Sequence, residues 1–195
     1  MNGLIIFIKN IEKGKVKTRL ASTVGDDRAL EIYKALLGHT RKVAQSVEAG
    51  RYLYYSSFIE KKDDWPNKDF IKKLQSEGDL GQRLITAFKE VFKRNEKVVV
   101  VGSDCAQLSP EIVNRAFEKL DDYPFVIGPT FDGGYYLLGM RNFEPSVFEN
   151  IEWSTETVFE TTLKKIQALH GDCYLLEELS DIDYEEDWMK YGWEV

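Results

Sequence analysis

The sequence has few cysteines and histidines and no long apolar run, and each shortage excludes a class of protein. Its 195 residues include two cysteines and two histidines. Cys105 and Cys173 lie far apart and form no CxxC pair, which argues against a disulfide scaffold and a thiolate zinc site. No apolar run approaches the roughly 20 residues that cross a bilayer. We therefore expect a cytoplasmic protein without a membrane span, in a reducing compartment.

The scarce residues also offer little chemistry of their own. Cys105 follows an aspartate, so a reactive thiol is one interpretation, and a small buried apolar side chain is the commoner one. His39 and His170 are isolated, and we expect surface or packing roles for both. No nucleophile, base and orienting group can be assembled from the sequence.

The charge is sorted by position along the chain. Five lysines and arginines lie between residues 9 and 19, whereas eight carboxylates lie between residues 177 and 195, in a chain of net charge −7. A basic loop in an acidic protein suits a compact phosphorylated ligand better than a nucleic acid backbone, which would be repelled elsewhere. We therefore expect a small-molecule partner and no nucleic acid.

Strand and helix patterns alternate along the chain and predict a single domain over residues 1–195. The content of apolar residues, 43%, is enough for one core. Helical spacing follows most strands, whereas the run 135–140 follows the strand 125–128 without a helix and is expected to be antiparallel. A helix is expected to start at Ser154, and another to span Tyr184 to Tyr191. The predicted fold is a three-layer α/β/α, Rossmann-like domain with a mixed, mainly parallel sheet.

The run of valines at 98–101 is the most informative segment. It predicts a buried parallel strand that ends at Gly102 and brings Asp104 to the edge of the sheet, where ligands bind in open α/β sheets. Asp104 is thus a candidate ligand for Mg²⁺ or Mn²⁺, and a turn or capping residue is the alternative. A second carboxylate could come from Asp181 or Asp183, which could equally cap the last helix.

The basic loop from Lys9 to Arg19 follows the first predicted strand and is a candidate phosphate site. Gly14 permits close backbone approach, and the surrounding cations can face phosphate oxygens. The loop is not a Walker A motif, because Val16 follows Lys15 and residue 9 is lysine. A solvated surface loop is the alternative.

Two further segments combine polar groups with aromatic rings. Asp132, Gly133, Gly134 and the tyrosines that follow suit a polar substrate with a ring, or else form a hairpin turn with core tyrosines. The segment 153–155, Trp-Ser-Thr, offers a ring and two hydroxyls, and on its own would indicate capping and packing.

Taken in order, these motifs resemble a known bacterial family. The motifs are GKVKTRL at 14–20, GDLGQRL at 78–84, GSDC at 102–105, GP at 128–129, DGGYYLLG at 132–139, WST at 153–155 and DID at 181–183. Together they are similar to the glycosyltransferase-like proteins called radical-SAM/selenodomain-associated transferases, over nearly the full chain. That family is a short version of the GT-A nucleotide-diphospho-sugar transferase fold, which it shares with several guanylyltransferases.

The resemblance implies a role for each motif. Lys17 and Arg19 would lie beside the nucleotide phosphates, Asp104 would bind the metal and act in catalysis, and Asp183 would complete the metal site. Asp132 would be a second catalytic residue, at the border of the acceptor or sugar pocket. The other nucleotide-binding residues implied are Lys9, Gly14, Lys15, Gly81, Gln82, Arg83 and Ser103, and the acceptor or sugar residues are Gly133, Gly134, Tyr135, Trp153, Ser154 and Thr155.

Three functions follow as hypotheses. The first is a Mg²⁺- or Mn²⁺-dependent transferase that uses a nucleotide sugar and a small-molecule acceptor. The second uses an NTP and releases pyrophosphate, as a guanylyltransferase does. The third is a non-catalytic nucleotide-binding module, which is consistent with two departures from the family: Ala106 stands where proline is usual, and the Asp-x-Asp motif of the fold is reduced to Ser103 and Asp104.

Overall fold

One seven-stranded sheet forms the centre of the protein. The computed structural model describes residues 1–169 and 171–195. The strands are β1 (Asn2–Ile8), β2 (Gly50–Tyr55), β3 (Ile71–Leu74), β4 (Lys97–Val101), β5 (Phe125–Pro129), β6 (Tyr135–Met140) and β7 (Cys173–Leu175). The helices are α1 (Thr18–Val24), α2 (Asp26–Ser46), α3 (Leu80–Val91), α4 (Pro110–Lys119), α5 (Val158–Ala168) and α6 (Glu185–Tyr191), with a 3-10 turn at Pro145–Phe148.

The order of the strands, β3-β2-β1-β4-β6-β5-β7, places β1 and β4 side by side at the middle of the sheet. Strand β1 pairs in parallel with both β2 and β4. Strand β6 is antiparallel to both β4 and β5, as predicted from the absence of a helix between β5 and β6. The chain leaves β1 toward one side of the sheet and β4 toward the other, so their carboxyl ends form the kind of crevice in which α/β proteins bind ligands.

Side chains of each central strand alternate between two apolar layers. In β4, Val99 and Val101 pack with the layer that includes α2 and α4. Val98 and Val100 pack with the layer that includes α3 and α5. Because both faces of the sheet are covered by helices, β4 is apolar without interruption, which is the pattern the sequence displays. The predicted three-layer α/β fold is confirmed.

Two predicted boundaries were wrong. The basic loop ends earlier than expected, because Thr18 and Arg19 already belong to α1. Leu20 in that helix is fully buried in a small cluster with Ile182 and Trp188, and this tertiary packing fixes a helix that local propensity does not indicate. Helix α5 begins at Val158 and not near Ser154, whose positive φ of 65° excludes it from the helix.

Side-chain helix caps explain two other boundaries. Ser109 accepts a hydrogen bond from the Ile112 amide at the start of α4, with Pro110 in the first turn. Asp79 accepts one from the Gln82 amide at the start of α3. The cap of α4 is therefore Ser109 and not Asp104. None of the described helices is both long enough and apolar enough to cross a membrane.

Candidate functional site

The candidate site is a cleft of about 550 Å³ at the carboxyl ends of β1 and β4, which we call the β1/β4 cleft. Its volume lies within the range of about 300–1,000 Å³ that is typical of small-molecule sites. Predicted residues supply much of its lining: Lys9, Lys17, Arg19, Arg83, Ser103, Asp104 and Asp183. The cleft therefore brings together residues from four separate motifs of the sequence.

Lys17 lies at the centre of the charged side of the cleft. Its Nζ is 2.6 Å from Asp104 Oδ1, 3.9 Å from Asp183 Oδ1 and 2.7 Å from the carbonyl oxygen of Ile182. The Lys17 side chain is 5% exposed, whereas that of Asp104 is 43% exposed. The backbone of Lys17 has a φ of 49°, which turns the chain from the basic loop into α1. The lysine thus holds together two carboxylates that would otherwise repel each other.

Arg19 reinforces this connection from the first turn of α1. Its guanidinium donates to Asp183 Oδ2 at 2.7 Å, and both side chains keep contact with solvent. The two cations that the resemblance places beside phosphate are therefore paired with carboxylates in the described structure. The Arg19 pair can exchange partners when a phosphate arrives, because exposed ion pairs are weak.

The acidic side of the cleft is built by a loop that returns to β4 from the far end of the chain. The Ile182 amide donates to the carbonyl of Asp104 at 2.9 Å, and Cys105 and Asp181 form an antiparallel bridge. This places Asp183 beside Asp104. Asp183 does not cap α6, because the N-cap residue is Tyr184; the Asp187 carboxylate accepts from the amides of Asp183 and Tyr184 just before the helix.

Asp181 is a half-buried member of this loop. Burial first, and the nearby charge of Asp104 second, raise the pKa of its carboxyl group to about 7, against the opposing effect of Lys17. The carboxylates of the loop are thus unequal, with Asp181 disposed to hold a proton and Asp183 paired with two cations.

Asp104 and Asp183 are the pair best placed to hold a metal ion. Their oxygens approach the same point, as their shared contact with Lys17 shows. Mg²⁺ takes one or two protein carboxylates and completes its shell with water or phosphate oxygens, so this donor set fits Mg²⁺ or Mn²⁺. Protein side chains alone would not complete such a site. Residues 1–169 and 171–195 contain no cluster of three or more His, Cys, Asp or Glu side chains that could hold a metal ion.

The rest of the basic loop points elsewhere. Lys15 pairs with Glu12, and Lys13 pairs with Asp27, both at 2.6 Å on the exposed surface. Gly14 has a φ of 76° and serves the turn between these pairs. Residues 12–15 thus form a largely exposed part of the loop with ion pairs of its own, whereas Lys9 and Lys17, nearer its ends, line the cleft.

In the motif at 78–84, too, only some of the residues line the β1/β4 cleft. Arg83 lines the cleft and donates to the Gly78 carbonyl. Gly81 is close to the carbonyl of Phe148, which a Cβ atom would approach to 2.5 Å, so its role here is close packing. Gln82 is exposed and does not line the cleft.

The turn at 130–134 forms the wall of a neighbouring depression of about 330 Å³, which shares Arg19 and Asp183 with the β1/β4 cleft. Asp132 lines this depression, and its carboxylate accepts from the Thr130 hydroxyl at 2.5 Å and from the Gly134 amide at 3.1 Å. Gly133 has a φ of 86°, and a Cβ there would lie 2.0 Å from the carbonyl oxygen of Glu156. The turn thus needs glycine at this position.

The remaining acceptor residues do not line either concavity. Tyr135 packs into the apolar layer beside α5, and burial raises the pKa of its hydroxyl. Trp153 packs against the same layer. Ser154 turns the chain, and the Thr155 hydroxyl donates to the carbonyl of Glu152. The alternative of capping and packing thus describes the contacts of residues 153–155 in the structure.

Several lining residues were not predicted from the sequence: Tyr33, Ser56 and Gln75. The Tyr33 hydroxyl donates to the carbonyl of Lys9 at 2.8 Å and accepts from its amide at 2.9 Å. Burial, followed by the charge of Asp104, raises the pKa of this hydroxyl. Ser56 and Gln75 directly follow β2 and β3, so position after a strand was an available signal. Tyr33 lies within the apolar pattern of α2 and gave none.

Cys105 and His39 have structural roles. Cys105 is buried, and burial together with the charge of Asp181 raises the pKa of its thiol to about 12, so the packing interpretation is confirmed. His39 shares a hydrogen bond of 2.7 Å with the Leu108 carbonyl and packs against Trp193. His170 lies outside the described residues.

Comparison with solved structures finds proteins of similar fold. A protein of Desulfovibrio desulfuricans G20, assigned provisionally as a nucleotide-diphospho-sugar transferase, is 32% identical, with a TM-score of 0.85 over 94% of this chain and 82% of that one. The inositol-1-phosphate CTP transferase of T. maritima is 15% identical, with a TM-score of 0.63 over 96% and 91% of the two chains. Rv0371c of Mycobacterium tuberculosis H37Rv, in complex with manganese, is 14% identical, with a TM-score of 0.57 over 100% and 98%. The last two likenesses show the shared fold alone.

No curated protein matches the chain. A family model described as "Uncharacterized protein conserved in bacteria (DUF2064)" matches residues 39–155, which is more than half of the sequence. That segment includes β4, Asp104 and the turn at Asp132, and the Desulfovibrio protein extends the likeness over nearly the whole chain. The protein therefore belongs to the DUF2064 family.

Proposed function

We propose that the protein is a metal-dependent transferase that uses a nucleotide-activated donor, with a nucleotide sugar as the donor and a small molecule as the acceptor. The observation that carries this proposal is the convergence of Lys17, Arg19, Asp104 and Asp183 at the carboxyl ends of β1 and β4. The proposal treats residues 1–195 as one catalytic domain.

The chemistry of such a transfer is chiefly the stabilisation of charge on the departing diphosphate. Lys17 and Arg19 are the cations at the charged side of the cleft, and Arg83 lines the same cleft. Asp104 and Asp183 would hold Mg²⁺ or Mn²⁺, which when bound supplies positive charge to the diphosphate. Lys17 keeps these carboxylates together and limits their repulsion before the donor enters.

The acceptor is proposed to bind in the depression next to the cleft. This depression shares Arg19 and Asp183 with the β1/β4 cleft, so a donor and an acceptor in the two concavities would be neighbours. The Asp132 carboxylate there is fixed by two hydrogen bonds, which position it to accept a hydrogen bond from an acceptor hydroxyl.

Thermal shift is the first test, because a ligand that binds the native state raises the melting temperature. The purified protein is screened with nucleotide sugars and NTPs, each with and without Mg²⁺ or Mn²⁺. We expect a metal-dependent shift with one nucleotide sugar, followed by release of the nucleoside diphosphate on incubation with acceptors. A shift with an NTP alone, and release of pyrophosphate, would support the nucleotidyltransferase instead.

A variant of Asp104 ties the result to the site. Asp104→Asn should abolish the metal-dependent part of the shift, whereas Asp122→Asn, at an exposed carboxylate away from the cleft, should retain it. An unchanged metal response in Asp104→Asn would remove Asp104 from the metal site. Metal-dependent binding without turnover across a panel of donors and acceptors would indicate a non-catalytic nucleotide-binding module.

A further inference from the structure

A second cleft lies next to the first and has no role in the proposed transfer. We call it the α2 cleft, because one face of α2 lines it together with the residues after β1 and the segment 55–65. Its volume is about 370 Å³, and it shares Ile8 and Lys9 with the β1/β4 cleft. The volume suits a small molecule of one or two rings, since typical ligand sites begin at about 300 Å³.

The floor of the α2 cleft is apolar and buried. Ile8, Leu37, Tyr55 and Trp65 line it, and each is less than 5% exposed. Phe58 stands at the edge and is 47% exposed. The Trp65 ring is fixed by an edge-to-face contact with a neighbouring phenylalanine. Aromatic and aliphatic side chains around a concavity favour a ligand with an apolar ring.

Gly38 gives the α2 cleft its open centre. It lies in the interior of a helix of 21 residues, where glycine is less favourable than alanine. A Cβ atom at this position would meet nothing within 4 Å, so the packing of the described residues does not require glycine. The unfilled space above the helix belongs to the cleft, and a ligand is the occupant that would benefit from the missing side chain.

The acidic residues around the α2 cleft are already engaged. Asp63 pairs with Lys72 at 2.6 Å, both largely buried, and also accepts from Tyr55. Asp64 pairs with Arg41 at 3.4 Å. Glu60 accepts a hydrogen bond from a backbone amide of its own loop. Asp63 and Asp64 are thus paired with cations other than the remaining lysines, whereas the Glu60 carboxylate keeps its charge at the edge of the cleft.

Three lysines line the α2 cleft without such partners. Within the described part of the chain, the ammonium groups of Lys9, Lys34 and Lys62 form no ion pair and no side-chain hydrogen bond. All three residues are exposed, so their stems can bend toward a ligand while the charged ends stay hydrated. Free cations above an apolar floor favour a molecule with one anionic end and one apolar end.

We propose that the α2 cleft binds a small organic anion with an apolar ring, such as an aryl phosphate or aryl carboxylate, at a site distinct from the nucleotide site. The ring occupies the space above Gly38 between Leu37 and Trp65. The anionic group lies among the three lysines. Lys9 belongs to both clefts, and the Tyr33 hydroxyl fixes its backbone, so the two sites are adjacent at the end of β1.

The test is titration calorimetry with 1-naphthyl phosphate, alongside inorganic phosphate and 1-naphthalenemethanol, which carry the anion and the ring separately. We expect 1-naphthyl phosphate to bind more tightly than either part. Gly38→Met should fill the cleft and weaken this binding at least about tenfold, since overpacking a formed site is unfavourable. Gly38→Ala should raise the melting temperature of the free protein by roughly 2–4 °C, because alanine favours the helix.

A charge reversal provides a test that does not depend on the folding of the methionine variant. Lys34→Glu should weaken binding of 1-naphthyl phosphate, whereas Lys42→Glu, on α2 but outside the cleft, should leave it unchanged. Asp104→Asn should also leave it unchanged, so failure of the nucleotide proposal would not affect the result. Equal affinity of the parent and the Gly38→Met and Lys34→Glu variants would overturn the proposal. Absence of binding to the parent at millimolar concentrations would overturn it as well.

Discussion

The ammonium group of Lys17 lies 2.6 Å from the carboxylate of Asp104, although 86 residues separate the two along the chain. Lys17 is nearly buried, while Asp104 remains open to the cleft. The lysine therefore has a fixed position, and the aspartate keeps oxygens available to a ligand. This asymmetry makes Lys17 a structural part of the site as well as a source of charge.

The variant Lys17→Met tests whether Lys17 contributes to the stability of the fold. Methionine keeps the apolar stem but leaves the Ile182 carbonyl without its donor and two carboxylates without their shared cation. We expect the free energy of unfolding to fall by about 1–3 kcal/mol, measured by urea denaturation. Lys89→Met, at an exposed position on α3, is the control and should change it little. Equal stability of the two variants would show that Lys17 is not needed by the fold.

Arg19→Ala should separate stability from binding. The Arg19 side chain is 59% exposed, so its pair with Asp183 should contribute less than about 1 kcal/mol to folding. If the cleft binds a diphosphate, the same variant should weaken the binding of a nucleoside diphosphate and reduce its dependence on salt. Calorimetry at two salt concentrations measures both. A large loss of stability with unchanged affinity would assign Arg19 to the fold alone.

Gly133→Ala should destabilise the protein by roughly 1–3 kcal/mol, since alanine at a φ of 86° is strained and its Cβ would collide with the Glu156 carbonyl. Gly102→Ala is the matched control, because a Cβ there would meet nothing within 4 Å. We expect the control to change the free energy of unfolding by less than about 0.5 kcal/mol. Similar losses in both variants would contradict the described shape of the turn.

Neither cysteine should react with iodoacetamide in the native protein at pH 8. Burial raises the pKa of both thiols, Cys105 and Cys173, to about 12, so the reactive thiolate is scarce at that pH. In urea both pKa values return toward about 8.5, and both thiols should be alkylated. Mass spectrometry of the two samples reads the result. Rapid labelling of native Cys105 would restore the hypothesis of a reactive thiol.

Local patterns were sufficient for the fold and for part of the site. The valine run of β4 is apolar on both faces, and the polar residues that follow it lie at a strand end, so Asp104 could be placed before the structure was known. The expectation that β6 is antiparallel had an equally local basis, because a parallel connection needs a longer crossover. These predictions depend only on residues that are close together in the sequence.

Contacts between distant segments could not be predicted in the same way. Nothing in the basic loop indicates that Lys17 meets Ile182, or that the lysines at 13 and 15 pair with other carboxylates. The segment that contains Tyr135 has a composition suited to a ligand, but the position of Tyr135 on β6 directs its ring into an apolar layer. Side-chain direction depends on the register of the whole sheet, and composition carries no information about it.

The positions of Lys17 and its partners in the sequence determine when the charged site can form during synthesis. All seven strands end by Leu175, whereas Ile182 and Asp183 come later in the sequence. During synthesis, Lys17 and Asp104 therefore leave the ribosome before Ile182 and Asp183 do. The sheet can assemble on the growing chain while the charged site still lacks these two later residues.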